Sequence, residues 1–428
     1  TRRSSDLHAF DVNALPDQQF GFIPGRSAVW QLLQVLEDWE RALDAGKIVH
    51  ACFLDIAKAF DRVDHQLLLL RLSSIGVCGT PLSWFESYLV GRNICTTVDG
   101  VHSPSLPISS GVPQGSVLGP LLFVLFFRDL PDVTASTCAL FADDTLIYDC
   151  DCLRTLDASS QACCRLSSDV SCLGSWALKW NAKFNAAKSS HMLMTRKKLQ
   201  RNAQLELCGE VIPQATTVVT HLGLTVTPSL SWAEHIRSVV QRLGYRLFIL
   251  KRLAYRSWPS SFVGRLYLGL VRPALEYASV AFDSCNRADA VSLERVQISV
   301  GRAVLRKGRR SLSNCEVLSA LGWPTLAWRR RRTKLLYLFK LFHGTGPPAL
   351  QDALPRAATG RASYDFRKKL SLEYPTCSSS RRNQSFLPSA VALWNALPQS
   401  VQSSSSAASF LSCLDTHFAL DKFCFGLP

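Results

Sequence analysis

The sequence contains no hydrophobic run long enough to cross a lipid bilayer. Its longest apolar run, residues 120–127, is far shorter than the roughly 20 residues that a membrane-spanning helix needs. The chain also starts on Thr1 without a hydrophobic signal segment, and the absence of an initial Met suggests a fragment. We therefore expect a protein that has no membrane partner.

Acidic residues are scarce relative to basic ones. The 428 residues include 48 Lys and Arg but only 33 Asp and Glu, which gives a formal net charge of +15. A basic excess of this size favours a polyanionic partner, most often nucleic acid, and a basic protein without such a partner is the alternative. The apolar content of 47% excludes a disordered chain, and the length allows two or three domains.

The sequence also lacks any C-x-x-C pair, although it contains 15 cysteines. The cysteines are scattered without the spacing of a disulfide framework. This pattern predicts reduced, mostly packed thiols, as in proteins of the cytosol or nucleus.

Two adjacent carboxylates interrupt an apolar, strand-like stretch at residues 138–148. Asp143 and Asp144 follow Cys-Ala-Leu-Phe and precede Thr-Leu-Ile-Tyr. A buried carboxylate is costly unless it is protonated, paired or bound to a metal ion, and the stretch contains no Lys or Arg. Bound divalent cations would stabilise this pair. The alternative is a hairpin turn, because Asp favours turns.

A third carboxylate, Asp55, ends another apolar run at residues 48–54. An acid at the end of a buried strand is a common place for ligand chemistry, and a helix N-cap is the alternative role. If the two strands are neighbours in one sheet, all three carboxylates converge. Such a group could hold two magnesium ions and support an in-line displacement at a 3′-hydroxyl. A second acid on the same strand, or a backbone carbonyl such as that of Ile56, would complete the coordination.

Residues 1–20 are polar and carry no pattern that assigns them a role. A turn rich in Gly and Pro at residues 20–27 then leads into a predicted helix, with Ser27 as its N-cap. Arg26 lies just before this helix N-terminus and could contact a phosphate. A solvated arginine is the alternative.

Three segments resemble motifs A, B and C of reverse transcriptases, in order and in spacing. They are Phe-Leu-Asp with Lys-Ala-Phe-Asp and Val-Asp-His at residues 53–65, Gly-Val-Pro-Gln-Gly-Ser-Val-Leu-Gly-Pro at 111–120, and Phe-Ala-Asp-Asp at 141–144. Residues 22–27 are similar to the Phe-Arg-Pro-Gly-Arg-Ser signature of the family, with Ile23 in place of the usual arginine. The chain most resembles non-LTR (LINE-type) retrotransposon polymerases of the jockey-like branch.

Three later segments extend this resemblance over nearly the whole chain. His221-Leu222-Gly223 is similar to the primer-grip motif, residues 270–277 to the thumb segment, and residues 393–398 to the tail of those proteins. The resemblance implies RNA-directed DNA polymerase activity, with an RNA template, a DNA primer or target DNA, and dNTPs as partners. It also implies that the Arg-Pro-Ile segment of the fingers and an endonuclease lie upstream, so that the chain is N-terminally truncated. Nuclear localisation follows from the family, and a cytoplasmic location is possible.

The resemblance assigns metal binding and catalysis to Asp55, Asp143 and Asp144, with two Mg²⁺ ions and Mn²⁺ as a substitute. It assigns Lys188 to motif D, as a general acid for pyrophosphate release, with a surface lysine as the alternative.

The same resemblance implies three contacts with the incoming dNTP, and Arg26 is a fourth candidate because of its position before the helix N-terminus. Phe60, five residues after Asp55, would exclude a ribose 2′-hydroxyl, unless it is a core phenylalanine. Gln114 and Gly115 would lie against the nucleotide, and Arg26 would complete the set.

The fold class that follows is α+β, a right-hand polymerase palm with an antiparallel sheet and helices. We expect partial fingers at residues 1–46, a palm at 47–228, a helical thumb with a basic region at 229–345, and a linker with a helical tail at 346–428. The alternative is a catalytically inactive remnant that binds RNA or DNA through its basic thumb. Group II intron maturases and telomerase-type polymerases are less similar in the thumb and tail.

Two basic clusters in the helical region are candidates for nucleic-acid contact. The first comprises Arg302, Arg306, Lys307, Arg309 and Arg310. The second, at residues 328–340, interleaves aromatic residues with cations, as nucleic-acid surfaces do. A solvated helix face is the alternative.

Overall fold

The computed structural model describes residues 14–152, 156–195, 205–308, 311–356, 370–419 and 422–426. The chain divides into two compact units. Unit 1 comprises residues 1–31 and 46–217, and unit 2 comprises residues 32–45 and 218–428. The finer division into fingers, palm, thumb and tail is not tested by these two units and stays a prediction.

Helix α1 (Ala28–Asp44) runs through the boundary between the two units, because its first four residues are assigned to unit 1. The hydroxyl of Ser27 accepts a hydrogen bond from the backbone N–H of Trp30 over 3.3 Å. Ser27 is therefore the N-cap that the sequence predicts.

Unit 1 combines helices with short and long strands. In chain order its elements are β1 (Ile48–Leu54), a 3-10 turn (Phe60–Arg62), α2 (His65–Ser74), α3 (Thr80–Leu89), β2 (Asn93–Ile94), β3 (Thr97–Val98), β4 (Val101–His102), β5 (Leu106–Pro107), α4 (Gly119–Phe126), a second 3-10 turn (Leu130–Val133), β6 (Thr137–Phe141), β7 (Asp144–Cys152), α5 (Leu156–Lys179), β8 (Ser190–Met194), β9 (Leu205–Leu207) and β10 (Glu210–Ile212).

The principal sheet of unit 1 has the strand order β6-β7-β1-β8, and every pair in it is antiparallel. All seven residues of β1 are buried, which explains why this strand is a continuous apolar run rather than an alternating one. Three short hairpins accompany the sheet, namely β2 with β5, β3 with β4, and β9 with β10.

Two helices supply much of the core that packs against this sheet. Seven of the eight residues of α4 are buried, as its almost wholly apolar sequence predicts. Helix α5 contributes Leu166, Val170 and Leu173, which recur at helical spacing and are fully buried. Deleting one such buried Leu side chain typically costs about 2–5 kcal/mol of stability.

Unit 2 is mainly helical. Besides residues 32–44 of α1 its elements are β11 (Val219–His221), β12 (Leu224–Val226), α6 (Ala233–Tyr255), α7 (Ser260–Leu270), α8 (Arg272–Glu276), α9 (Arg287–Leu305), α10 (Asn314–Leu321), α11 (Leu326–Phe342), α12 (Pro348–Asp352), α13 (Ser380–Gln384), α14 (Phe386–Asn395), α15 (Gln399–Gln402) and α16 (Ala407–His417). Both units together confirm the predicted α+β class.

The predicted free thiols need one correction. Cys315 and Cys424, which are 109 residues apart, are joined by a disulfide. No local spacing indicates this pair, because the tail that carries Cys424 returns to the start of α10 only in the folded chain. Among the described residues, no helix is both long and apolar enough to cross a membrane.

Candidate active site

The sheet register places Asp55 opposite Asp144. The pairing of β1 with β7 runs to Leu54 opposite Thr145, so the next residue of each chain segment lies across from the other. Side chains directly opposite each other in an antiparallel pair lie on the same face of the sheet, with Cβ atoms about 4.5–5.5 Å apart. The predicted convergence of these two strands is therefore observed.

Asp143 lies in the turn that joins β6 to β7. Phe141 pairs with Asp144, which leaves a two-residue turn made of Ala142 and Asp143. Ala142 has φ of +55°, a left-handed conformation that costs a residue with a Cβ roughly 1–2 kcal/mol. The hairpin turn that the sequence left as an alternative is thus present, and it lies at the same end of the sheet as the end of β1, which Asp55 follows.

The charges of the three carboxylates act on one another. Partial burial, and then the negative charges of Asp143 and Asp55, raise the pKa of Asp144 above its ordinary value. This repulsion is the environment that a bound cation would relieve, and carboxylate oxygens are suitable ligands for a hard divalent ion. Among the described residues, however, no group of three or more Asp, Glu, His or Cys side chains is already arranged as a metal cluster. The donor chemistry fits a divalent cation, and the ligand geometry is not preformed.

A loop at residues 185–189 supports the backbone around Asp55. The Asp55 N–H donates to Ser189 Oγ over 3.1 Å, and the Asp55 carbonyl accepts from the Asn185 N–H over 2.8 Å. Buried Ile56 forms an antiparallel bridge with Phe184 next to these bonds. Lys188 is exposed on the same loop. The metal-ligand role of Ile56 and the catalytic role of Lys188 stay predictions.

The alternative role of Asp55 as a helix N-cap does not hold. The side chain that caps α2 is that of Asp64, which accepts from the backbone N–H groups of Gln66 and Leu67. Asp55 therefore does not serve as the N-cap of this helix.

The Gly-Val-Pro-Gln-Gly loop is docked on the 3-10 turn that follows Asp55. Gln114 Nε2 donates to Asp61 Oδ1 over 2.7 Å, and a Cβ on Gly111 would meet the backbone of Asp61 at 2.9 Å. Gly115 has φ of +77° and open space where its Cβ would be. The loop is thus bonded to Asp61, six residues after Asp55, while nucleotide contacts by Gln114 and Gly115 stay predictions.

Phe60 has features both of a core phenylalanine and of a ring that faces the nucleotide site. Its ring stacks on Phe123 with centroids 4.2 Å apart and meets Phe22 edge to face at 6.2 Å, yet the residue is only partly buried. The packing fixes the ring, and the exposed part faces away from these neighbours. A fixed bulky ring is what exclusion of a 2′-hydroxyl requires, and that role stays a prediction.

Arg26 is bonded within the segment that precedes α1. Its guanidinium donates to the carbonyls of Pro16, Asp17 and Gln19 and pairs with the Asp17 carboxylate over 2.7 Å. These bonds tie the start of α1 to residues 16–19. Contact with a nucleotide stays a prediction, and it would compete with this bonding.

Sequence reasoning missed Gln19, which lies beside the acidic turn. Only 1% of its surface is exposed, and its Oε1 accepts from the N–H groups of Gly21 and Ala142, over 2.8 and 2.9 Å. Leaving a buried N–H such as that of Ala142 without a partner costs about 1–3 kcal/mol. No local signal could have revealed this contact, because its partners are 123 residues apart.

The second basic cluster, at residues 328–340 in unit 2, does not form the free cationic surface that its sequence predicts. Arg329 pairs with Glu276, Arg332 binds Asp415 through two bonds, and Arg330 and Lys334 share Asp283 in a nearly buried site. The Arg331 guanidinium lies over the rings of Phe418 and Phe425 at 4.6 and 5.1 Å. Four cations of the cluster are thus held in ion pairs inside unit 2.

The first basic cluster is also partly used inside unit 2. Arg302 donates to the Gly308 carbonyl and to Asn314 Oδ1, and Arg306 donates to the Trp258 carbonyl. Two further members of this cluster, Arg309 and Arg310, lie outside the described residues.

Two motifs of the resemblance meet in unit 2. His221-Leu222-Gly223 forms the turn between β11 and β12, with positive φ at Leu222 and Gly223. Tyr277, which ends the thumb-like segment, donates its hydroxyl hydrogen to the Leu222 carbonyl over 2.9 Å.

Comparison with known proteins assigns the family. The family model described as reverse transcriptase (RNA-dependent DNA polymerase) matches residues 4–230, more than half of the sequence. The chain belongs to the reverse transcriptase family. This match spans all the elements that place the three carboxylates, from the segment before α1 to the end of unit 1.

Curated relatives refine this assignment to the non-LTR, LINE-type branch that the sequence predicts. A probable RNA-directed DNA polymerase from transposon BS of Drosophila melanogaster is 28% identical over 316 residues, which is 70% of this chain and 33% of that protein. The corresponding enzyme of the mobile element jockey of Drosophila funebris is 29% identical over 307 residues, 68% of this chain and 32% of that protein. A probable RNA-directed DNA polymerase from the transposon X-element of Drosophila melanogaster is 33% identical over 238 residues, which is 53% of this chain and 25% of that protein.

The chain spans about a third of the length of the curated relatives that it matches. Among solved structures, a Candida tropicalis telomerase in complex with a fragment of telomeric RNA is similar with a TM-score of 0.39 and 10% identity. The match covers 74% of this chain and 56% of that chain. Similarity at this level adds nothing to the family assignment.

Proposed function

We propose that this chain carries the RNA-directed DNA polymerase activity of a non-LTR retrotransposon and adds deoxynucleotides to the 3′-hydroxyl of a primer. The observation that carries the proposal is the convergence of Asp55, Asp143 and Asp144 at one end of the sheet of unit 1. Nuclear localisation, where target DNA is present, belongs to the same proposal. The names of the relatives do not favour the alternative of an inactive binding remnant.

Reverse transcriptases use divalent metal ions, and we propose Mg²⁺, as two ions, for this chain. Asp55 and Asp143 would hold them directly, with Asp144 and the carbonyl of Ile56 completing the set. When bound, the ions would lower the pKa of the primer hydroxyl and neutralise charge on the leaving pyrophosphate.

The remaining residues of the site would position the nucleotide. Phe60, fixed by its stacking on Phe123, would exclude a ribose 2′-hydroxyl. Gln114, held by Asp61, and Gly115, with its open flank, would lie against the dNTP. Lys188 would donate a proton to the departing pyrophosphate.

An exposed basic face on unit 2 supports a nucleic-acid partner. The sequence from residue 235 to 275 contains eight Lys and Arg and no acidic residue. We define the basic face by its exposed cations and aromatic side chains. They are Arg242, Arg246, Lys251, Arg252, Arg256 and Arg265, with Tyr245, Phe248, Tyr255 and Trp258.

The cations of the basic face are largely unpaired. Within the described part of the chain, none of Lys251, Arg252, Arg256 and Arg265 forms an ion pair. Tyr245 and Tyr255 are 74% and 90% exposed. Unpaired cations can neutralise phosphates, and exposed rings can stack on bases. We therefore propose that the basic face contacts the RNA template or the primer.

Primer extension on an RNA template tests the proposed function. Incorporation should require a divalent ion, and Asp143→Asn should reduce it by on the order of 10²-fold or more, because the substitution removes a ligand charge. Asp99→Asn is the matched control, since Asp99 lies in the β3–β4 turn with φ of +48°, a conformation that Asn tolerates. Normal extension by Asp143→Asn would show that the assigned carboxylates are not catalytic.

A further inference from the structure

A short segment near the start of the chain is built into the edge of the catalytic sheet. Gln19 forms a parallel bridge with Leu140 of β6, where the Phe20 N–H donates to the Leu140 carbonyl and the Leu140 N–H donates to the Gln18 carbonyl, each over 2.8 Å. Backbone bonds on both sides of Gln19 thus fix it beside Leu140, two residues before the Ala142–Asp143 turn. The segment also covers the open edge of β6.

The side chain of Gln19 is directed at the turn itself. Its Oε1 accepts from the Ala142 N–H, and the same oxygen accepts from the Gly21 N–H. Ala142 immediately precedes Asp143 and has the left-handed φ described above. A strained residue persists where surrounding contacts hold it, and here the contact comes from one buried amide.

Gly21 gives independent support for this close fit. A Cβ on Gly21 would lie 2.4 Å from the Ala142 nitrogen and 3.1 Å from Gln19 Oε1. The backbone at residue 21 therefore passes so close to the turn that a side chain has no room. Gln19 and Gly21 therefore both contact the Ala142 nitrogen: the Gln19 side chain accepts its hydrogen bond, and Gly21 leaves room for it because it has no Cβ.

We propose that Gln19 is a positioning residue for the polymerase reaction, which holds the Ala142–Asp143 turn so that the Asp143 carboxylate faces Asp55 and Asp144. The proposal rests on the proposed function, because it assigns Asp143 to metal binding. Gln19 acts through the backbone of Ala142 and touches neither substrate nor metal.

The test removes the accepting oxygen while preserving the size of the side chain. In Gln19→Met we expect the dissociation constant for Mn²⁺, measured by electron paramagnetic resonance of the free ion, to rise about tenfold. We also expect kcat for primer extension to fall about tenfold, while KM for dNTP changes less than about twofold. A tenfold change corresponds to ~1.4 kcal/mol. Gln19→Glu keeps an accepting oxygen and should restore both values to within about threefold.

Gln297→Met is the matched control. Gln297 is also a fully buried glutamine, and it bonds Tyr267 and Glu294 in unit 2. Its substitution should lower the melting temperature but leave the Mn²⁺ affinity unchanged. A merely structural role for Gln19 predicts the same behaviour in Gln19→Met, so a folded Gln19→Met protein with wild-type Mn²⁺ affinity and kcat would overturn the proposal.

Two further measurements cover other outcomes. If Gln19→Met does not fold, Gln19→Asn, which withdraws the oxygen by one methylene, should raise the Mn²⁺ dissociation constant in the same direction, and an unchanged constant would overturn the proposal. If the wild-type protein binds no Mn²⁺ and Asp143→Asn extends primers normally, the proposed function itself fails. Faster amide exchange at Ala142 in Gln19→Asn, without weaker Mn²⁺ binding, would contradict the positioning role of Gln19. That result would leave the proposed polymerase function intact.

Discussion

Two regions of unit 2 have similar basic composition and opposite surroundings. In α11 four cations pair with Glu276, Asp283 and Asp415, namely Arg329, Arg330, Arg332 and Lys334, and Arg330 and Lys334 are 6% and 4% exposed. On the basic face of α6 and α7, four cations have no ion pair within the described residues and lie beside highly exposed rings. The two regions would be indistinguishable by a count of Lys and Arg.

The difference shows that the position of acidic residues, not the density of basic ones, decides which cations of a helix remain without a carboxylate partner. A buried Arg that already has a carboxylate partner cannot neutralise a phosphate without leaving that carboxylate unpaired, which is costly. The sequence from 238 to 271 contains no acid, so the six cations of the basic face have no acidic partner within one helical turn along the chain. The basic face is therefore the better candidate for the nucleic-acid surface.

The largest effect is expected from removing Asp283, the acid that Arg330 and Lys334 share. Burial alone would raise the pKa of Asp283, but Lys334 and Arg330 hold it below its ordinary value. Asp283→Asn leaves both cations nearly buried without a counter-charge, so the free energy of unfolding should fall by about 3–5 kcal/mol. Urea denaturation followed by circular dichroism measures this change.

The exposed Asp352 provides the control for this substitution. It ends α12 and forms no ion pair within the described residues, so Asp352→Asn should change stability by less than about 0.5 kcal/mol. A loss below roughly 1 kcal/mol in Asp283→Asn would mean that the inner cluster is not held by ion pairs.

An exposed ring of the basic face gives the next largest effect. Tyr255 is 90% exposed, and base stacking on such a ring contributes about 1–3 kcal/mol. Tyr255→Ala should therefore weaken binding of single-stranded RNA about 5- to 150-fold without changing its dependence on salt concentration. Fluorescence anisotropy at several salt concentrations measures both quantities. Tyr374→Ala, at a tyrosine of unit 2 that is 65% exposed and lies outside the basic face, should leave RNA binding unchanged. Equal losses of affinity in both variants would mean that the basic face is not the RNA-binding surface.

The elements of the active site could be predicted from sequence because each signal is local. Asp55 and the Asp143-Asp144 pair interrupt apolar runs, Ser27 precedes a helical pattern, and α4 is apolar throughout. In each case the residues that explain the structure lie within a few positions of one another, so periodicity and turn chemistry suffice.

The features that sequence reasoning missed depend on distant partners. Arg329, Arg330 and Arg332 pair with residues 53, 47 and 83 positions away. The contact of Gln19 with Ala142 and the disulfide of Cys315 with Cys424 span still longer separations. Composition shows that 48 cations exceed 33 acids, but only the folded chain shows which cations remain without a partner.

The smallest expected effect comes from removing charge on the basic face, which should change the salt dependence of RNA binding but not the stability of the fold. Arg252 and Arg256 are one helical turn apart and exposed, so replacing both with Ala should change the free energy of unfolding by less than about 0.5 kcal/mol. Because each neutralised phosphate of a single strand contributes about 0.7 to the slope of log affinity against log salt, the slope should become shallower by about 1.4. Arg287→Ala with Arg295→Ala removes two exposed arginines of α9 and should leave the slope unchanged. If both double variants shift the slope equally, nucleic acid is attracted by the net charge of unit 2, and the contrast between its two basic regions has no consequence for binding.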